Sequence, residues 1–197
     1  MPIHDVDSYE AYINRELSWL SFARRVLDLV EDTSLPLLER VKFAGIMGMI
    51  YDEFVMKRMG GLHQKIKKKP QHIGYDGHTP VEELAMCWKE LEGQTRILDD
   101  LIEDTLRPAL AAEDIHLKDY QALTKRDQNF LENHFKKKVL PILTPLAVDA
   151  AHPFPFISNL SINLLVKVSY PETEHAYLNR LKVPVGTGVA PRFIKLG

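Results

Sequence analysis

The chain has 197 residues, 45% of them hydrophobic, and a formal net charge of −2 from 25 Lys and Arg against 27 Asp and Glu. That length suits one large domain or two small ones with a sizeable core, and the near-neutral balance excludes a globally basic nucleic-acid binder. Cys87 is the single cysteine, so an internal disulfide is excluded and a reducing compartment fits.

Asp5, Asp7 and Glu10 stand where a signal peptide needs a basic start and an apolar core. No stretch approaches the roughly 18–20 apolar residues of a membrane span. The cytoplasm is the expected location. The first helix is expected over residues 15–30, with Asn14 as N-cap. Trp19, Phe22, Ala23, Val26 and Val30 make its apolar stripe. The run DTSLP then breaks the chain, with Leu35 held extended before Pro36.

A second helix is expected over residues 36–69, starting on Pro36. Its middle is apolar on all sides, which marks a helix surrounded by protein. Gly45 and Gly48 would allow a neighbouring helix or a ligand to approach. Gly60 and Gly61 predict a kink or break, each costing about 1 kcal/mol relative to Ala. Glu53 and Lys57 have the favourable i, i+4 order. Asp52, on another face, is expected to pair with Arg24 or Arg25 and pin the first two helices together.

After a polar loop, Thr79, Pro80 and Glu82 form a capping box that opens a third helix. Val81, Leu84, Trp88, Leu91, Thr95, Leu98, Ile102 and Thr105 follow a heptad seam, predicting nearly antiparallel packing on the second helix, with Pro108 interrupting the end. Residues 124–140 read as one more helix, stopped by Pro141. Residues 162–170 alternate as a strand with one buried face. Residues 175–183 and 192–196 are weaker strand candidates, joined by a turn at GTG. The expected fold class is α+β: an antiparallel bundle of three long helices at residues 1–114, then the beginning of a mixed helix and antiparallel-sheet domain at 115–197. So few strands are a poor stopping point for a domain, and a truncated sequence is expected.

Charge is uneven along the chain. Residues 57–69 hold six Lys and Arg and no acid, whereas residues 82–114 hold ten acids and three bases. The basic run KIKKK invites a polyanion reading. A solvated helix C-terminus, where positive charge suits the helix dipole, explains it as well and is favoured. The acidic run reads as a solvated face. None of the eight histidines pairs at ligand spacing, so no metal site is expected. His152, among prolines and aromatics, reads as structural. No phosphate-binding glycine loop, nucleophile elbow or Ser/His/Asp pattern is present.

Four stretches together carry a resemblance: YINRELSWLSFARRVLDLVED, LPLLERVKFAGI, YDEFVMKRMGGL and LTPLAVDAAHPFPFISNLSINLLVKV. In order and spacing they resemble the first-class bacterial polyphosphate kinases, over residues 12–196. The resemblance implies an enzyme that moves the terminal phosphate of ATP reversibly onto inorganic polyphosphate, with magnesium and a phosphohistidine. It implies that ATP or ADP and polyphosphate are its partners, and that it is a homo-oligomer through a head domain, without nucleic acid. It implies a cytoplasmic enzyme, with peripheral membrane association as an extension of that. This chain would be the helical N-terminal domain, covering the adenine end of the nucleotide site, and the start of the head.

The catalytic half would lie outside the chain. No histidine here sits in the family's phosphohistidine context, so neither His63 nor His152 takes that role and no catalytic residue is expected. The isolated chain is expected to be inactive. The family's acidic pair is preceded by S-N-N-L, in which one asparagine contacts ATP; the matching run here is GMIY, and Ile50 holds that asparagine's position. Isoleucine offers none of the amide's donors or acceptor, so only apolar contact with a purine remains. The alternative function is a non-catalytic helical module for assembly or polyanion binding.

Overall fold

A computed structural model describes residues 5–149, 151–169, 176–186 and 190–196. The chain divides into two compact units, Met1–Leu117 and Lys118–Gly197.

In the first unit, α1 spans Arg15–Glu31. Its cap is Asn14, whose Oδ1 accepts from the backbone N–H groups of Glu16 (3.0 Å) and Leu17 (2.9 Å). The buried face is Glu16, Leu20, Ala23, Leu27 and Val30. Ala23 and Val30 of the expected stripe belong to this face, whereas Trp19 and Val26 are only partly buried and Phe22 is exposed, so the face is turned slightly from the stripe. The rotation puts a carboxylate, Glu16, at a core position.

Helix α2 spans Leu37–Glu53, a wide π turn follows at Phe54–Met59, and α3 continues over Gly60–Lys68. The expected break at Gly60 and Gly61 is absent. Gly60 keeps helical angles (φ −57°, ψ −40°), and the irregularity falls one turn earlier. Gly45 and Gly48 face open space rather than a close neighbour, since a Cβ at either would meet nothing within 4 Å. Arg40 is buried and donates from Nε to the carbonyl of Val30 at 2.8 Å, tying α2 to the end of α1.

The capping box of Thr79 and Glu82 opens α4 at Pro80–Asp100. A second π turn, Leu101–Leu106, leads into α5, Arg107–Ala112. Pro108 therefore lies inside the helix and does not end it. A proline removes one N–H and crowds the carbonyl four residues back, and the wide turn just before it relaxes that crowding. The buried set on α4 is Pro80, Cys87, Leu91, Gln94 and Leu98; Leu91 and Leu98 of the expected seam are in it, and Leu84 and Ile102 pack against the core. Val81 and Trp88 of that seam are exposed. Helix α4 packs on α3, within the expected second helix as the seam predicted, and also on α1, which the seam did not indicate. Leu20, Leu27, Met47, Phe54, Met59 and Leu62 fill the shared core.

The loop before α4 turns at Gly77, where φ is +79° and a Cβ would lie 3.1 Å from the Tyr9 ring. Backbone handedness and space both exclude a side chain there.

In the second unit, α6 spans Lys125–His134, capped by Thr124, and a π turn at Phe135–Val139 extends it. Strands β1 (Pro145–Val148), β2 (Asn163–Ser169) and β3 (Ala176–Lys182) form an antiparallel sheet in the order β1-β3-β2. The expected one-sided burial of the 162–170 strand is not found, because Leu164 through Ser169 are all exposed. Strand β1, not expected, pairs Leu146 with Arg180. Residues 192–196 form no strand. Tyr170, His175 and most of GTG lie outside the described residues. The fold is α+β, a helical unit followed by the start of a mixed unit.

Candidate functional site

The cap of α1 and the wide turn after α2 meet at a cleft of about 410 Å³. Arg15, Glu16 and Trp19 of α1 form one wall; Glu53, Phe54, Lys57 and Arg58 form the second, and Gly61 and Lys65 of α3 continue it. Trp19 stacks on the fully buried Phe54, with ring centroids 4.9 Å apart. The π turn carries Lys57 and Arg58 to the cleft, and such insertions recur at functional sites because they re-aim side chains within a continuous helix.

The charges are unequally spent. Lys57 Nζ lies 2.6 Å from Glu53 Oε1, and this hydrogen bond, with the lysine's charge, holds the Glu53 carboxyl below its ordinary range. Arg15 donates to Glu16 Oε1 from Nη2 at 2.5 Å and from Nε at 3.0 Å. Glu16 is only 2% exposed, and its other oxygen, Oε2, is buried without a hydrogen-bond donor. Arg58 Nη1 stands 3.7 Å from that oxygen, and Lys65 Nζ stands 3.7 Å from Glu83. Both are ion-pair distances too long for hydrogen bonds.

Behind the cleft, Asn14 Nδ2 donates to Asp76 Oδ2 (2.6 Å) and Glu83 Oε1 (3.2 Å). Burial pushes the Asp76 carboxyl up, but hydrogen bonds from Asn14, its own backbone and His78 outweigh it and leave its pKa below the ordinary value.

On the opposite side of α2, Tyr51, Asp52 and Val55 face Trp88, Leu91, Glu92 and Thr95 of α4 across a shallower groove of about 570 Å³. Asp52 does not pin the first two helices. Arg24 instead pairs on its own helix, with Asp28 at 2.7 Å and Glu31 at 3.0 Å. The α1–α4 link comes from Gln94, whose Nε2 donates to the Leu20 carbonyl at 2.9 Å while its Oε1 accepts from Tyr51 at 3.2 Å. Burial raises the Tyr51 hydroxyl to about 12 and the Cys87 thiol to about 11, so neither is a nucleophile at neutral pH.

Ile50 is partly buried and packs against the core, one helical turn from Glu53 and Phe54, and it does not line the cleft. His152 closes a local turn, with Nδ1 3.0 Å from Asp149 Oδ1. Among the described residues, no group of three or more His, Cys, Asp or Glu is placed to hold a metal ion. No helix among them is long and apolar enough to cross a membrane. The buried Glu16 and its ion-pair partner Arg58 escaped the sequence reading. The available signal was an acid in step with Leu20, Ala23 and Leu27, three core positions of its own helix.

Comparison with known proteins follows the same two-part division. The polyphosphate kinase N-terminal domain matches residues 12–118, and the polyphosphate kinase middle domain matches residues 126–197. The polyphosphate kinase of Thermosynechococcus vestitus is 42% identical over 192 residues, covering 98% of this chain and 26% of that protein. That of Mycobacterium avium is 42% identical over 187 residues, covering 95% of this chain and 25% of that protein. The crystal structure of polyphosphate kinase from Porphyromonas gingivalis superposes with a TM-score of 0.74 at 25% identity, covering 94% of this chain and 26% of that one. The chain thus spans about a quarter of the length of these relatives. On these matches, the chain belongs to the polyphosphate kinase family.

Proposed function

We propose that this chain serves as the N-terminal quarter of a polyphosphate kinase, which transfers the terminal phosphate of ATP reversibly to inorganic polyphosphate. The observation that carries this reading is the ordered match of both family domains along nearly the whole chain. In this role the helical unit covers the nucleotide and the second unit supports dimerisation. The chemistry, including a phosphohistidine and magnesium, belongs to the remainder of such an enzyme, and this chain alone makes no polymer.

The test is a swap. This chain replaces the matching quarter of the Thermosynechococcus vestitus enzyme, and polyphosphate synthesis from ATP is measured. Activity within about tenfold of the parent supports the role, and a folded but inactive chimera overturns it. Incubated alone with ATP and magnesium, the chain should yield neither labelled protein nor polymer.

Residue 50 is the proposed nucleotide-facing position. With Ile50 the contact is apolar, and an amide there adds a hydrogen bond worth ~0.5–1.5 kcal/mol. Ile50→Asn in the chimera should lower the KM for ATP by about threefold or more, and an unchanged KM removes residue 50 from the site.

A further inference from the structure

We propose that the cleft between α1 and the Phe54–Lys68 ridge binds a terminal phosphate, a tetrahedral oxyanion that carries its own hydroxyl hydrogen. The inference goes beyond the kinase role proposed above and requires no turnover by this chain.

The floor of the cleft supplies a buried acceptor. Glu16 is 2% exposed, its Oε1 is occupied by Arg15, and its Oε2 accepts no hydrogen bond. Buried polar atoms left in that condition are rare because nothing replaces the water they lost. The rim supplies cations that are ion-paired but make no hydrogen bond to a carboxylate. Arg58 and Lys65 each stand 3.7 Å from a carboxylate oxygen, whereas Lys57 is engaged by Glu53 at 2.6 Å.

Arg58 in the wide turn and Gly61 and Lys65, one turn apart on α3, all line the cleft. A Cβ on Gly61 would meet nothing within 4 Å, so the space between the two cations is open down to the backbone.

The ligand must satisfy both features at once. A neutral donor leaves Arg58 and Lys65 unused. A fully ionised anion such as sulfate turns only lone pairs toward Glu16. A phosphate near its second ionisation, pKa about 6, still carries a P–OH. That hydroxyl donates to Glu16 Oε2 in a short charge-assisted bond, and the remaining oxygens face the guanidinium fork and the ammonium. Orthophosphate, a phosphomonoester and the end residue of a linear phosphate chain share this group. Internal residues of such a chain lack it.

Calorimetric titration of the full chain at about pH 6.5 tests the site. Orthophosphate should bind about tenfold or more tightly than sulfate. Equal affinity would mean a bare cationic patch, and a flat titration would mean that Arg58 closes onto Glu16; either overturns the proposal. Gly61→Glu places an acid in open space, so it should keep its melting temperature and lose about tenfold in phosphate affinity, while Gly61→Ala keeps binding. Unchanged binding by Gly61→Glu overturns the location.

Competition then separates the sources. Displacement of orthophosphate by linear tripolyphosphate identifies a chain end, displacement by ATP a nucleotide, and displacement by neither identifies free phosphate. An inactive chimera beside intact phosphate selectivity defeats the kinase reading alone, and the reverse result defeats this one alone.

Discussion

Asn14 illustrates how much one short side chain connects. Its oxygen caps α1 and its amide holds Asp76 and Glu83, so the start of α1, the loop before α4 and α4 itself meet on one residue. The depressed pKa of Asp76 makes this junction pH-dependent. A carboxyl whose folded pKa lies below its unfolded value, ~3.9, contributes stability above that value and loses it as pH falls through the folded pKa. Asp76→Ala should therefore cost on the order of 1–2 kcal/mol at pH 7. In urea melts followed by circular dichroism, the gap to the parent chain should narrow below about pH 4. A gap that stays constant from pH 7 to pH 3 would assign the loss to packing.

Also at the residue scale, Ile50 is proposed through resemblance alone, because an apolar residue in an apolar helix carries no local signal of a ligand. Glu16 and Arg58 were legible in principle. Their meeting depends on two helices crossing, which spacing along either one does not specify.

Among the elements, α1, α2 and α4 are joined through Gln94, which is 2% exposed and reaches Leu20 and Tyr51. Tyr51→Phe should cost ~0.5–1.5 kcal/mol and Gln94→Leu ~1–3 kcal/mol, the second leaving the buried tyrosine hydroxyl without a partner. The double variant should cost less than the sum, and strict additivity in thermal melts would show that the bond contributes nothing. Helix starts were readable because caps act locally: Asn14, Thr79 and Thr124 each cap the helix they precede. Helix faces were read less well. The misread positions, Phe22 on α1 and Val81 and Trp88 on α4, lie ahead of the π turns at Phe54–Met59 and Leu101–Leu106. Each helix carries apolar residues on two adjacent faces, and periodicity alone does not say which of the two meets a neighbour. The expected breaks at Gly60 and Pro108 failed for a related reason, since packing on a long neighbour offsets the local cost of either residue.

At the scale of the whole molecule, the two units differ in how much apolar surface they bury. The helical unit encloses Leu20, Leu27, Met47 and Phe54 completely. The sheet of the second unit leaves Leu164, Leu165, Tyr177 and Leu178 exposed, along with Phe156 at 89%. Neighbours on a strand point to opposite faces, so Leu164 and Tyr177 lie on one side of the sheet and Leu165 and Leu178 on the other; exposed apolar side chains of this kind bind apolar dyes and favour association. The chain should raise the fluorescence of anilinonaphthalene sulfonate. Phe156→Ser with Leu165→Lys should reduce that signal by at least about half without lowering the melting temperature of the helical unit. An undiminished signal would place the dye elsewhere.

The sequence alone determined the local events: where helices begin, which loops turn, the absence of a disulfide, the α+β class and, through RELSWLSF and HPFPFISNLSINL, the family. Each depends on neighbours within a few residues or on a string of residues in order. Only the tertiary structure decided which helix faces are buried, that α4 also lies against α1, and that Glu16, Arg58 and Lys65 converge on one cleft. Those outcomes depend on the phase of one helix relative to another, and the local pattern of either helix does not fix that phase.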